Sequence, residues 1–276
     1  MLKNIFLLLL ALSFPLCVKG EDSVRIVSLS PAVTEIICHL GGEKFLVGRS
    51  SACDYPRSVK NIPVAGDFAK PYLEKLLALR PHYLLTNDLI NPVIIKKLNS
   101  AGIKCTMKQS SNAEDYFYWV DHIGKILKKE KEAAKEINRV KKILSSLEEK
   151  TKKLQKKKVL WLVWDSPVMA AGQKSFPDSM IRYAGGINLA ENIRSDYFKC
   201  SPEWIIKHQP QVIIFPGLHE KKQRILSSRY PWNSLSAWQK GNVVTHIAED
   251  LLLRPGPRFT DGVLLLHKFL YPCEEQ

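Results

Sequence analysis

The chain has 276 residues, of which 45% are hydrophobic, and its 41 Lys and Arg against 27 Asp and Glu give a formal net charge of +14. That length accommodates two cored domains, and the composition is that of a globular protein rather than a disordered one. The charge does not describe a nucleic-acid groove: residues 125–158 hold 14 basic and 5 acidic residues, so +9 of the +14 lies on one segment, without interleaved aromatics.

The N-terminus reads as a secretory signal over residues 1–20. Lys3 supplies the positive charge, Ile5–Leu12 is an apolar run too short for a stable bilayer anchor, and Val18-Lys19-Gly20 precedes a mature start at Glu21. Removing Lys3 and Lys19 leaves a mature charge of +12. A lipid-modified Cys17 is the rival reading, although Phe14-Pro15-Leu16 lacks the small residues expected before such a cysteine. Cys38, Cys53, Cys105, Cys200 and Cys273 remain, an odd number with no C-x-x-C pair, which suggests neither a zinc site nor a thioredoxin-like site.

Residues 21–128 read as a first α/β lobe. The apolar run Arg25–Leu29 suits a buried parallel strand, followed by Ser30-Pro31, a cap and first-turn proline, and a helix over Ala32–Leu40 stopped by Gly41-Gly42. Strands are expected at Phe45–Gly48, Tyr83–Thr86 and Ile103–Met107, and helices at Leu73–Leu79, Pro92–Ala101 and Ala113–Lys128. Asp54-Tyr55-Pro56 and Gly66 through Pro71 read as loops.

Residues 129–157 form the connector. From about Glu130 to Gln155 there is no Gly or Pro, and Ala133, Ile137, Val140, Leu144, Leu147, Thr151 and Leu154 follow one another at spacings of four and three. That is one narrow stripe on a helix roughly 40 Å long. One side is expected to pack and the other to face water.

Residues 158–276 repeat the plan. Val159–Val163, Val212–Phe215 and Val243–His246 read as strands. Helices are expected from Gly172-Gln173-Lys174-Ser175 to Gly185-Gly186, from Ser201-Pro202-Glu203 to Pro210, and over Thr260–Leu270. Glu74 precedes Pro81 by seven residues, Glu203 precedes Pro210 by seven, and each proline leads into an apolar strand. The glycine pairs and the single glycines Gly102 and Gly241 fall in matching order. The fold class is therefore α/β, two parallel-sheet lobes of similar topology joined by one long helix, with a cleft where the strand ends face each other.

No catalytic constellation stands out. G-x-S-x-G, H-E-x-x-H and a dinucleotide fingerprint are absent, and Gly172-Gln173-Lys174-Ser175 fails the phosphate-loop spacing. The seven histidines are dispersed. Candidate ligand contacts are the aromatic and polar residues of the loops at the strand ends: Tyr55, Phe68, Tyr72, Asn87 and Asp88 in the first lobe, and Met169, Tyr197, Phe198, Asp250 and Arg254 in the second. Glu74 and Glu203, each in the first turn of its helix, occupy equivalent places and suit a partner with two symmetry-related basic sockets.

The stretches RIVSLSPAVTEI, VGRSSACDYP, VAGDFAKPYLEKLLALRP, AAGQKSF, YAGGINLAENI, CSPEWIIKHQP and DLLLRPGPR, with the long helix between the third and fourth, resemble the helix-linked (class III) periplasmic substrate-binding proteins of ABC importers, the vitamin B12 binders among them. The resemblance covers nearly the whole mature chain and implies ligand capture between the lobes without chemistry or cofactor, in a periplasmic protein. It implies that Glu74 and Glu203 dock on arginines of the inner-membrane permease, and that Asp250, Leu251, Leu252, Leu253 and Arg254 line the pocket. In the B12 binders a tyrosine stands at Ala52 and a tryptophan at Asn87, while tryptophans near Phe68 and at Tyr197 remain aromatic here. Cobalamin or a related corrinoid is the expected cargo, with a ferric siderophore or haem as the alternative, for which Arg49, Arg254 and Arg258 are the available cations. A monomer with small lobe closure and no nucleic-acid partner is expected. An enzyme or metal carrier of the same fold, and a binder of envelope polymer, are the competing classes.

Overall fold

A computed structural model describes residues 23–272; the signal segment, Cys17 and Cys273 lie outside the described residues. The first half runs β1 (Ile26–Ser28), α1 (Pro31–His39), β2 (Leu46–Ser50), β3 (Val64–Asp67), β4 (Lys70–Pro71), α2 (Leu73–Leu79), β5 (Tyr83–Thr86), α3 (Pro92–Ser100), β6 (Lys104–Met107) and α4 (Glu114–Leu127). The connector is α5 (Glu130–Thr151). The second half runs β7 (Lys158–Asp165), β8 (Val168–Ala171), α6 (Phe176–Tyr183), β9 (Ile187–Asn188), β10 (Tyr197–Lys199), α7 (Pro202–His208), β11 (Val212–Ile214), α8 (Glu220–Ser227), α9 (Ser236–Gln239), β12 (Val243–Val244), α10 (Glu249–Leu253) and α11 (Phe259–Leu270).

The first sheet has the order β4-β3-β2-β1-β5-β6, parallel except for β4. The second has the order β10-β8-β7-β11-β12, with β9 also parallel to β7 and with β8 and β10 antiparallel. In both, the chain leaves the central strand to one side and returns on the other, β1 to β2 then β5, and β7 to β9 then β11. Each lobe therefore has a switch point at the carboxyl ends of its strands, where α/β folds bind ligands.

The repeat is exact at the level of hydrogen bonds. Gly41 N–H bonds Cys38 O and Gly42 N–H bonds Ile37 O; Gly185 N–H bonds Arg182 O and Gly186 N–H bonds Ile181 O. Gly41 at φ 69° and Gly185 at φ 90° occupy the left-handed region that ends a helix in this way. The two seven-residue helices α2 and α7 both end on a left-handed residue other than glycine, Arg80 and Gln209, each at φ 44° and each immediately before proline. Ser30, Asn91, Ser175 and Ser201 each cap a helix whose first turn contains a proline, their side chains accepting from Val33, Val93, Asp178 and Trp204 N–H.

Helix α5 stops at Thr151 rather than Gln155. Its buried face is Ala133, Glu136, Val140, Leu144, Leu147 and Thr151, so an acid sits inside the stripe and Ile137 lies at its margin. The helix lies across the far ends of both sheets. A β-carbon placed on Gly41, at the end of α1, would meet Lys129 Nζ at 2.7 Å, and one on Gly185, at the end of α6, would meet Thr151 Cγ2 at 2.4 Å. Both helix ends point away from the carboxyl ends of the strands, so the connector is opposite the cleft.

The lobes share more than a connector. One apolar cluster runs from Ile26, Ile36 and Ile123 through Val140 and Leu144 to Trp161, Phe259 and Leu266. Tyr116 of α4 meets Phe259 of α11 edge to face at 5.3 Å. Two smaller clusters cover the other faces, around Leu84 and Leu98 in the first lobe and around Ile213 and Trp238 in the second.

Candidate ligand-binding cleft

The carboxyl ends of the strands face each other across a cleft of about 230 Å³. Its first-lobe wall carries Phe68 from the β3–β4 turn, Asn87 and Asp88 following β5, and Gln109, Ser110 and Ser111 following β6. Its second-lobe wall carries Lys174, Ser175, Phe176 and Pro177 at the start of α6, Asp196 and Tyr197 at β10, and Leu253 and Pro255 after α10. Phe68 and Tyr197 are 41% and 47% exposed, one from each lobe. The charged residues in the walls are Asp88, Asp196 and Lys174.

Phe68, Asn87, Asp88, Tyr197 and Leu253 are thus brought together. The remaining candidates lie elsewhere. Tyr72 donates to Asp67 Oδ2 at 2.9 Å, and Met169 pairs with Lys199 within the β8–β10 ladder. Phe198 packs edge-on to Trp204 at 5.4 Å. Leu251 is half-buried against the shared core and Leu252 is wholly buried in it, because α10 turns that face toward α6 and α11. Leu252 therefore cannot touch a ligand in this arrangement.

Three arginines read as available cations are engaged inside the protein. Arg49 donates to four backbone carbonyls, those of Ile62, Ser50, Cys53 and Lys60, at 3.0–3.1 Å. Arg258 forms a two-nitrogen fork on Glu35, at 2.9 and 2.7 Å, and lies 3.8 Å over the Tyr55 ring. Arg254 donates to Asp54 at 2.7 Å and to Glu35 at 3.3 Å, and pairs with Asp250 at 2.8 Å. Glu35 and Asp54 belong to the first lobe and both arginines to the second, so this network bridges the lobes. The hydrogen bond from Arg254 holds the Asp54 carboxyl below its ordinary value. Tyr183 donates to Glu114 Oε1 at 2.8 Å and forms a second bridge.

The loops after β6 and before α6 escaped the sequence reading because Gln, Ser and Lys are ordinary loop residues. The one usable signal was Gly172-Gln173-Lys174-Ser175, whose glycine and serine mark a tight entry into a helix at a strand's carboxyl end. A β-carbon on Gly172 would meet Ser195 O at 2.3 Å, so this glycine permits the close approach of the Ser195–Tyr197 segment.

Glu74 and Glu203 are exposed and stand at the second position of α2 and α7. β10 runs in the direction of β7 and α7 follows its carboxyl end, while α2, although it follows the antiparallel β4, begins where Tyr72 N–H bonds Ala65 O, beside the carboxyl end of β2 at Ser50, so both carboxylates lie on the cleft-bearing side. Contacts with its own backbone and with Ser201 hold Glu203 below its ordinary value. Among the described residues no group of three or more His, Cys, Asp or Glu is arranged to hold a metal ion. Cys38, Cys53, Cys105 and Cys200 are all free thiols. Burial pushes Cys38 and Cys200 up to about 12.

The family model described as periplasmic binding protein matches residues 26–248. An uncharacterized ABC transporter substrate-binding lipoprotein, YvrC of Bacillus subtilis, is 28% identical over 91% of this chain and 81% of its own length. A vitamin B12-binding protein of Vibrio parahaemolyticus is 23% identical, with 90% of each chain covered. Among solved structures, the periplasmic heme-binding protein HutB of Vibrio cholerae superposes with a TM-score of 0.82 at 28% identity, covering 91% of this chain and all 100% of that one.

Proposed function

The chain belongs to the periplasmic binding protein family, a class that binds and hands over rather than transforms, and from that premise we propose that it captures a corrinoid in the interlobe cleft and delivers it to an ABC importer. The observation that carries the ligand class is the makeup of the cleft walls. An aromatic ring from each lobe, Phe68 and Tyr197, offers a flat apolar face, and the walls around them combine the amides of Asn87 and Gln109 and the hydroxyls of Ser110, Ser111 and Ser175 with apolar Phe176, Pro177, Leu253 and Pro255. Asp88 and Asp196 outnumber Lys174, and Arg254 and Arg258 are committed to Glu35, Asp54 and Asp250. A neutral, amide-bearing macrocycle suits such walls better than a chelate with free carboxylates.

Haem is the second reading, favoured by the likeness to HutB and by a phenol, Tyr197, in the cleft. Packing around Tyr197, with the neighbouring Asp196 carboxylate, pushes the phenol upward, which opposes the phenolate that ferric iron would bind. The cleft of about 230 Å³ is smaller than the roughly 300–1,000 Å³ of typical ligand sites, so loading a macrocycle requires the lobes to part. Glu74 and Glu203 are assigned to the permease contact, one per lobe, on the side through which cargo leaves.

Isothermal titration of residues 21–276 with cyanocobalamin and with haem tests this reading. Saturable one-to-one binding of cyanocobalamin, at least ten times tighter than haem, is the expected result. Haem binding without cobalamin binding would overturn it and leave the importer role in place.

A further inference from the structure

The segment Arg254-Pro255-Gly256-Pro257-Arg258 leaves the second lobe after α10 and crosses to the first. A β-carbon on Gly256 would stand 3.3 Å from Glu35 Oε2 and 3.6 Å from the Ala32 Cα of α1. A proline on either side of that glycine stiffens the backbone. Pro255 and the preceding Leu253 line the cleft, so one short strap touches both the cavity and the opposite lobe.

The contacts of the strap and its flank form a series from the core outward. Phe259 is wholly buried and packs on Tyr116 of the first lobe. Next comes Arg258 on Glu35, whose side chain is 3% exposed. Outermost is Arg254 on Asp54, whose side chain is 46% exposed. The connector lies opposite the cleft, so parting the lobes is a rotation that moves the outermost contact farthest.

The members of the series also differ in what breaking them leaves behind. Glu35 parted from both arginines would be a buried charge without a partner, which is costly. Asp54 parted from Arg254 would be left to water, which costs little. Arg254 would not be stranded either. Its Nη1 carries the bond to Asp54 at 2.7 Å, while its Nη2 is already held at 2.8 Å by Asp250 of its own lobe. The outer pair can therefore open and re-form without leaving a buried charge unpaired.

We propose that Arg254 and Asp54 form a latch that holds the empty cleft closed, and that the lobes part by releasing this pair while Arg258, Glu35 and Phe259 stay together as the pivot. The latch sets the fraction of molecules open to a cargo too large for the closed cleft. It rests on the reading of the cleft as the binding site and is independent of which cargo enters.

The test measures the gap between the lobes in ligand-free residues 21–276, by double electron–electron resonance between spin labels at Lys70→Cys, at the start of β4, and Lys199→Cys, at the end of β10. Both positions are exposed, and each stands two residues from a ring of the cleft, Phe68 or Tyr197. Cys53 is buried, and burial pushes the thiols of Cys38, Cys105 and Cys200 up to about 12, about 11 and about 12, which keeps them from the labelling reagent at neutral pH; Cys273→Ser removes the last. Asp54→Asn is expected to raise the ratio of long to short distances roughly two- to fivefold, the range for an ion pair of this exposure. The midpoint of thermal unfolding should move by no more than about 4 °C, which separates an opened cleft from a damaged fold. Raising NaCl from about 0.05 to about 0.5 M should shift the protein with Asp54 intact in the same direction and the variant little. Asp54→Glu keeps the charge and should keep the short distance. The latch is overturned if Asp54→Asn leaves the distances unchanged, or if Asp54→Glu lengthens them as much as Asp54→Asn does. No ligand takes part, so a failure of cobalamin to bind would strike the corrinoid reading alone.

Discussion

Arg258 grips Glu35 through two nitrogens, at 2.9 and 2.7 Å, across 223 residues of sequence. Glu35 is 3% exposed, and its pairings with Arg254 and Arg258 place two positive charges of one lobe around one negative charge of the other. Removing the acid would leave both guanidinium groups short of a partner in a partly buried place. Glu35→Ala is therefore expected to destabilise the protein by about 3 kcal/mol, visible as a fall of roughly 6–12 °C in the midpoint of thermal unfolding for a chain of this size. The same variant should show a larger radius of gyration in X-ray scattering, since the bridge holds the lobes together. An unchanged midpoint and radius would remove the bridge as a structural element.

A second buried acid carries a pH dependence. Glu136 of α5 accepts from Tyr116 at 2.7 Å and from Arg139 at 2.7 and 2.8 Å, and lies 3.1 Å from His39. Burial alone would raise its pKa, but the bonds from Arg139, His39 and Tyr116 outweigh burial and hold it at about 2, against an ordinary 4.5. A carboxyl held low contributes stability that is complete above its unfolded value and disappears as pH falls through the folded one. Stability should thus decline from about pH 5 toward pH 2, and Glu136→Gln should flatten that decline in urea unfolding measured at successive pH values. The opposite slope, with stability rising on acidification, would contradict the assignment.

The matched helix ends make a paired prediction. Arg80 and Gln209 both sit at φ 44°, where a side chain is strained and glycine is not. Arg80→Gly and Gln209→Gly should each raise stability, by up to about 1 kcal/mol. The two effects should be similar, because the two helices have the same length, the same cap conformation and the same following proline. Opposite signs in the two lobes would show that the local repeat does not extend to energetics.

The carboxylates on the cleft side give a functional prediction. Glu74→Ala and Glu203→Ala should leave ligand affinity within about twofold, since neither residue lines the cleft, and the double variant should abolish ligand uptake by reconstituted importer. Charge reversal to Lys at either position should be more damaging than Ala, because it places like charges against a basic socket. Uptake that survives the double change would rule out this docking role.

Which features were legible in the sequence follows from the range of the interactions behind them. The caps, glycine stops and proline landmarks are local, and Ser30-Pro31, Gly41-Gly42 and their second-lobe counterparts placed the helices within a residue or two. Short ladders leave no such trace. Val64–Asp67 with Lys70–Pro71, and Val168–Ala171 with Tyr197–Lys199, are two to four residues long and antiparallel, and runs that short show no period. Glu136 looks in the sequence like one more charge on α5, because Tyr116 and His39, which join Arg139 of α5 in pairing with it, lie on other helices. Arg254 looks like a ligand contact and Arg258 like an available cation for the same reason: their partners Glu35 and Asp54 are about 200 residues away. The cleft walls themselves are half legible. Phe68, Asn87 and Tyr197 are conspicuous in their loops, whereas Gln109, Ser110 and Lys174 acquire meaning only from what faces them.

The placement of α5 has a consequence for how the molecule travels. The segment that carries +9 of the chain's +14 lies across the far ends of both sheets, while Glu74 and Glu203 stand at the near ends beside the cleft. The positive excess is therefore carried on the side away from the cleft, and the proposed docking carboxylates stand on the less positive side. A receptor with basic sockets exerts a torque on such a body before contact, turning the cleft toward it. Encounters would then begin in the orientation that transfer requires, at a rate that falls as added salt shortens the reach of the field.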